Sequence, residues 1–272
     1  MSLVSTSWLE KNLDRVKILD STWHMPNTNR NAFKEYKKEH IKNSIFFDID
    51  EFSNKETDLP HMLPSEERWS EIVSNLGISN KDRVIIYDNS DVISSCRCWY
   101  TFIFFGHKPN LISVLDGGFQ KWKKENRKFT SKKTNIKKNT YIANKLDKLV
   151  KNKDEIEDNI LKKKFKVVDA RSKNRFLGLE KELRPGLRSG SIQNSHSLPF
   201  NEIINKDDKT FLEKKIIKEK FAKLGIIEEN NVVFSCGSGI TAAVLSLAYS
   251  LINDKYLPTV YDGSWAEYGK KN

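Results

Sequence analysis

The chain has 272 residues, 38% of them hydrophobic and 31% charged, the balance of a soluble globular protein with material for one large or two medium domains. No apolar run reaches the roughly 18 residues of a membrane span, and the N-terminus lacks the basic-then-apolar layout of a secretory signal. The net charge of +11 comes mostly from Lys interleaved with Asn and Glu, without a basic–aromatic platform, so it reads as a solvated surface rather than a nucleic-acid binder; three Cys are too few for a disulfide framework and fit a reduced, cytoplasmic setting.

Lys17-Ile18-Leu19-Asp20 opens the pattern as a short apolar strand. Leu76-Gly77-Ile78 precedes a second β-branched run, Val84-Ile85-Ile86-Tyr87, which ends at Asp88. The loop from Asp88 to Ser95 has no glycine and leads into a helix with Trp99, Phe102 and Ile103 at core positions. Cys96 and Cys98 lie near that helix start in C-x-C spacing, with no second pair or nearby His, which reads as packing rather than metal binding. Val114-Leu115-Asp116-Gly117-Gly118 follows, and from Lys123 to about Asp154 the chain is rich in Lys and Asn and poor in large apolar residues, as a connection would be.

The plan then repeats. Lys166-Val167-Val168-Asp169 echoes the first strand, Leu224-Gly225-Ile226 and Val232–Cys236 echo the second segment, and Val260-Tyr261-Asp262-Gly263-Ser264 echoes the third, all at an offset of about 146–149 residues. Near-constant offsets across three separated segments indicate a duplicated domain. Strands alternating with helical stretches give an α/β class, each copy a mostly parallel central sheet flanked by helices. The expected division is a first domain at 1–130, a linker at 131–153 and a second domain at 154–272.

The two copies differ where the second strand ends. In the second copy Val232-Val233-Phe234 runs into Cys236-Gly237-Ser238-Gly239-Ile240-Thr241, then an apolar helix with Val244, Leu247, Ala248 and Leu251 at helical spacing. Parallel sheets place ligand sites at the C-terminal ends of their strands, and Cys236 falls there. Glycines permit a curled loop whose N–H groups point inward as an anion cradle, and the helix dipole adds partial positive charge. Both favour a thiolate, so Cys236 is the candidate nucleophile. In the first copy Asp88 stands at that position, so only the second copy is expected to be catalytic.

The tandem repeat closed by Cys-Gly-Ser-Gly-Ile-Thr resembles the two-domain rhodanese superfamily, and within it the 3-mercaptopyruvate sulfurtransferases. The likeness runs almost end to end, through Phe46–Asp50, Leu59–Pro64, Ser113–Trp122, Arg184–Gly190 and Tyr261–Gly269. In that family a Cys-Gly-Ser-Gly loop goes with mercaptopyruvate and a basic Cys-Arg-Lys-Gly loop with thiosulfate. The resemblance implies sulfur transfer through a Cys236 persulfide, with pyruvate released. It implies that Gly237, Gly239, Ile240 and Thr241 line the substrate beside the thiolate. It also makes Arg175 and Arg184 the groups that hold the substrate carboxylate and carbonyl, a task that suits a planar guanidinium fork. Ser238, His61 and Asp50 match a triad proposed for the family, with His61 and Asp50 drawn from the first domain. Arg171 and Arg188 are expected to be structural. One departure is that the family's His-Ile-Pro-Gly-like turns read His40-Ile41-Lys42-Asn43 and Ser191-Ile192-Gln193-Asn194 here, where Asn can supply the left-handed conformation.

No cofactor or metal is expected. The expected partners are a small anionic sulfur donor and a thiol acceptor such as a thioredoxin-like protein, or cyanide, with neither nucleic acid nor membrane. Related phosphatases need Cys-x5-Arg, and the residue six after Cys236 is Ala242. A non-catalytic rhodanese-like binding module is disfavoured by retention of Cys236 with Arg175, Arg184 and Ser238. Thiosulfate:cyanide sulfurtransferase is the nearest rival.

Overall fold

A computed structural model describes residues 2–227 and 231–271. It divides into two compact units. The first comprises Met1–Asn54, Pro64–Leu146 and Lys206–Thr210; the second comprises Lys55–Leu63, Asp147–Asn205 and Phe211–Asn272.

In the first unit, β1 (Leu3–Val4), β2 (Lys17–Asp20), β3 (Ser44–Phe46), β4 (Val84–Tyr87) and β5 (Ile112–Leu115) form one parallel sheet in the order β1-β5-β4-β2-β3. In the second unit, β6 (Val150–Lys151), β7 (Lys166–Asp169), β8 (His196–Ser197), β9 (Val232–Ser235) and β10 (Val260–Tyr261) repeat the arrangement as β6-β10-β9-β7-β8, again parallel. The central strands β4 and β9 are continuous apolar or small-residue runs because both their faces are covered, and every residue in them is buried. Register repeats as well: Asp20 pairs with Tyr87, and Asp169 with Ser235. Asp88 and Cys236 are the next residues along, each leaving the C-terminal end of a central strand.

Each unit has its own core. Ile18, Ile85, Tyr87, Phe119 and Trp122 anchor the first, and Val167, Val233, Tyr261 and Trp265 the second. Full burial of each such large side chain stabilises by roughly 1.5–3 kcal/mol. The helix after β4, Ser95–Phe104, has every residue buried, and the helix after β9, Ile240–Ser250, all but its second and last. Asn43 and Asn194 hold φ of 67° and 63°, the left-handed conformation for which the two turns need Asn.

Two stretches fold differently from their sequence reading. The segment expected as a linker divides at Leu146. Before it, Thr130 pairs with His40, and the N–H groups of Asn139 and Asn144 bond Ser74 and Phe105, so this part lies on the first unit. After it, Val150–Lys151 already forms the edge strand of the second sheet. Residues 55–63, read with the first copy, cluster with the second unit because the Leu63 N–H bonds the Asp262 carboxylate (2.8 Å) and His61 bonds Ser238.

Candidate active site

Cys236 leaves β9 and is 2% exposed. Both its backbone groups are held by the segment after β10. Its N–H donates to Ser264 Oγ (3.2 Å), and its carbonyl accepts from the Trp265 N–H (2.9 Å). Gly239, at φ 81°, turns the chain into the helix Ile240–Ser250. The loop 237–241 therefore presents the first-turn N–H groups that a helix leaves unpaired, next to the thiol.

Arg175 and Arg184 converge on this loop. A Cβ placed on Gly237 would lie 3.4 Å from Arg175 Nη2 and 3.7 Å from Arg184 Nη1. Neither cation comes from a regular element facing the loop: Arg175 is in the one-turn helix Lys173–Phe176, and Arg184 is in the irregular stretch beyond it. Arg175 is fixed by a carboxylate that sequence reasoning missed. Glu182, its side chain only 2% exposed, accepts from Arg175 Nη2 (2.5 Å) and from Arg171 Nη1 (2.6 Å). Arg171 in turn grips Asp169 at the end of β7 (2.6 Å) and lies over the Trp265 ring, which Arg188 covers as well. A continuous ladder, Asp169–Arg171–Glu182–Arg175, thus runs from the sheet to the loop.

His61 sits in the left-handed region, with φ 62°, and is 5% exposed. Its Nδ1 lies 2.9 Å from Ser238 Oγ, which also accepts from Arg184 Nη2 at 3.4 Å. A guanidinium can only donate, so this arrangement leaves the Ser238 hydroxyl proton free to point to His61 Nδ1. Asp262, missed as a site residue, carries the bond to the Leu63 N–H that anchors the His61 segment. Asp50, expected beside His61, belongs to the first unit, where Trp23 Nε1 donates to both its oxygens (3.1 and 3.0 Å).

The first unit shows what the strand-end position is built to hold. Asp88 puts its carboxylate where the thiol would be, and the N–H groups of Ser90 (2.8 Å) and Ser95 (3.0 Å) donate to it. The Asp88 carbonyl accepts from the Phe119 N–H, as that of Cys236 does from Trp265. Burial pushes the Asp88 carboxyl up. Cys96 and Cys98 are fully buried, and burial pushes both thiols well up, which keeps them from acting as nucleophiles. Among the described residues no group of His, Cys, Asp and Glu is arranged to hold a metal ion.

Fold and loop together define a duplicated α/β protein with one cysteine at a strand end. The family model for the rhodanese-like domain matches it twice, over residues 5–125 and 152–271. The chain belongs to the rhodanese-like family. It is 35% identical to the mouse (Mus musculus) 3-mercaptopyruvate sulfurtransferase over 98% of this chain and 91% of that protein. It is also 35% identical to the mouse thiosulfate sulfurtransferase, over 99% of this chain and 92% of that protein. The crystal structure of SseA from Escherichia coli, a 3-mercaptopyruvate sulfotransferase, superposes with a TM-score of 0.86 at 26% identity, covering 98% of this chain and all of that one.

Proposed function

We propose that the chain is a sulfurtransferase that takes sulfur from 3-mercaptopyruvate onto Cys236 and passes it to a thiol acceptor such as a thioredoxin-like protein. The convergence of Arg175 and Arg184 on Gly237, one residue from the thiol, carries this reading. Two guanidiniums side by side suit an α-keto carboxylate, one charged end and one polarisable carbonyl. The Cys236 thiolate attacks the donor sulfur and the C–S bond breaks. The electron pair leaves as the enolate of pyruvate, and the Cys persulfide remains. The Arg184–Ser238–His61 chain supplies a group that can move the enolate's proton, and the loop N–H groups face the anionic sulfur. The acceptor thiolate then removes the outer sulfur and restores Cys236. The three cysteines, none of them in a disulfide, fit a reducing compartment such as the cytoplasm.

Equal identity to the mouse thiosulfate sulfurtransferase keeps thiosulfate as the second donor to test. Steady-state rates with both donors and one shared acceptor decide between them, and a higher kcat/KM for thiosulfate would reject the mercaptopyruvate reading. Intact mass after donor treatment should show one added sulfur that is absent in Cys236→Ser. An adduct persisting in that variant would reject Cys236 as the carrier.

A further inference from the structure

A large cavity of the first unit lies at the opposite end of its sheet from Asp88. It has a volume of about 920 Å³ and opens at the N-terminal ends of β2 and β4. Its wall includes Lys17, Arg83, Lys128, Lys132, Lys133 and Lys137, drawn from three separate stretches of chain. Among the described residues, no carboxylate lies within ion-pairing distance of these cations. The acids that share the wall have other partners: Asp14 holds Lys42 and Asn43, which also line the cavity, Asp82 caps Ser79, and Glu10 pairs with Arg127. Phe129 and Ile136 also line the cavity while 47% and 42% exposed, an apolar strip inside a cationic rim.

The strap 128–137 that forms this wall is built into the fold. Thr130 exchanges both backbone bonds with His40 (2.8 and 2.9 Å), and the Lys132 carbonyl lies 3.1 Å from Nε2 of the buried His40. Gly77, at φ 71°, makes room for it: a Cβ there would stand 2.5 Å from the Lys137 carbonyl oxygen. The duplication supplies an internal control. At the matching end of the second sheet the cavity is about 390 Å³ and is walled by Lys148, Lys151, Lys162 and Lys164. There Lys151 pairs with Glu155 and Lys162 with Asp158. The same fold thus leaves a smaller, partly neutralised cavity at this end of one unit and a larger, more cationic one in the other.

We propose that the groove of the first unit binds a nucleotide carrying an oligophosphate, with the phosphates on the lysine strap and the base against Phe129. The volume lies in the range of small-molecule sites. The uncompensated cations want a multiply charged anion. A single exposed ring provides a platform for one base, where a bound strand would use several. Catalysis at Cys236 is not invoked, so the proposal stands or falls apart from the sulfur-transfer reading.

The test is isothermal titration of the full chain with ATP, inorganic tripolyphosphate and a ten-nucleotide single-stranded oligothymidylate at low and moderate salt. ATP should bind, with affinity that falls as salt rises. The triple variant Lys132→Glu, Lys133→Glu, Lys137→Glu should weaken ATP at least tenfold while its circular dichroism spectrum and melting temperature stay close to those of the parent as the check on folding. Phe129→Ala should weaken ATP several-fold and leave tripolyphosphate unchanged. The matched variant Lys148→Glu, Lys162→Glu, Lys164→Glu, with the same change of charge on the other unit, should leave ATP binding within about twofold. Equal loss in the two triple variants would reduce the effect to the overall positive field and overturn the site. Binding of the oligothymidylate without binding of ATP would overturn the nucleotide in favour of a strand, and no binding of any probe would overturn the proposal outright.

Discussion

Ser264 carries a cost that only its hydroxyl explains. Its φ of 48° lies in the left-handed region, where a residue with a Cβ is strained by about 1–3 kcal/mol. Its counterpart in the first unit, judged by the repeat offset, is Gly118, at φ 55°. The first unit has no nucleophile and uses glycine; the second has Cys236 and uses a serine whose Oγ accepts the Cys236 N–H and donates to the Tyr261 carbonyl. Ser264 is therefore a positioning residue for the nucleophile. Ser264→Gly should relieve the strain and keep or raise the melting temperature, yet lower kcat/KM for the donor by about tenfold, some 1.4 kcal/mol. Thermal unfolding and donor kinetics on one preparation check this. A variant that loses stability and activity in proportion would make Ser264 merely structural. Sequence alone showed Cys236 because a strand, glycines and a helical period converge on it. It did not show a role for Ser264, and His61 came into view only through the family resemblance, since a positive φ on a residue with a side chain leaves no pattern. Glu182 was hidden for a similar reason, as one acid in an irregular stretch whose partners, Arg171 and Arg175, are found only once the chain folds.

The loop acts as an element because its glycines leave room for cations. At Gly237 a methyl group would meet Arg175 and Arg184 at ordinary contact distances of 3.4 and 3.7 Å, so Gly237→Ala should fold and stay within about threefold of the parent kcat/KM. A longer basic side chain has no such space. Gly237→Arg would drive a third guanidinium into two others, one of them pinned by buried Glu182. Repulsion there should disturb the placement of Arg184, and with it the contact to Ser238. Donor kcat/KM with mercaptopyruvate should then fall more than tenfold, mainly through KM, because lost carboxylate binding weakens ground and transition states alike. A Gly237→Arg variant with parent kinetics would show that the arginines do not hold the donor. The contrast between basic and glycine loops, seen in sequence as a choice of charge beside the thiol, thus has a steric half that only the placement of Arg175 and Arg184 reveals. The strap 128–137 shows the same limit: a Lys- and Asn-rich stretch has no hydrophobic period, so its docking through His40 and Gly77 could not be read in advance.

At the level of the whole molecule, duplication lets one unit serve as reference for the other. Both first central strands end in a buried aspartate, Asp20 and Asp169. Two residues on, the second unit has Arg171, whose guanidinium bonds Asp169, while the first has Thr22, which gives Asp20 an N–H (3.0 Å) and a hydroxyl (2.5 Å) but no positive charge. Burial, with the Asp88 carboxylate adding repulsion, pushes the Asp20 carboxyl up to about 7. The unfolded value is near 3.9. Below about pH 4 both states hold the proton and the group contributes no pH dependence. Between about 4 and 7 the folded state keeps a proton that the unfolded state has lost, so stability falls as pH rises; above about 7 the full cost of a buried charge, on the order of a few kcal/mol, is present. Asp20→Asn keeps the acceptor for Thr22 and removes the charge. Its advantage over the parent in urea midpoint should therefore grow from pH 5 to pH 8. Asp88, also pushed up by burial, remains in both proteins and adds the same sense of slope to each, so the difference between the curves reports Asp20 together with its repulsion of Asp88. Curves that stay parallel across this range would mean that Asp20 is charged in the folded protein throughout, with a counter-charge or water supplying what Arg171 supplies to Asp169.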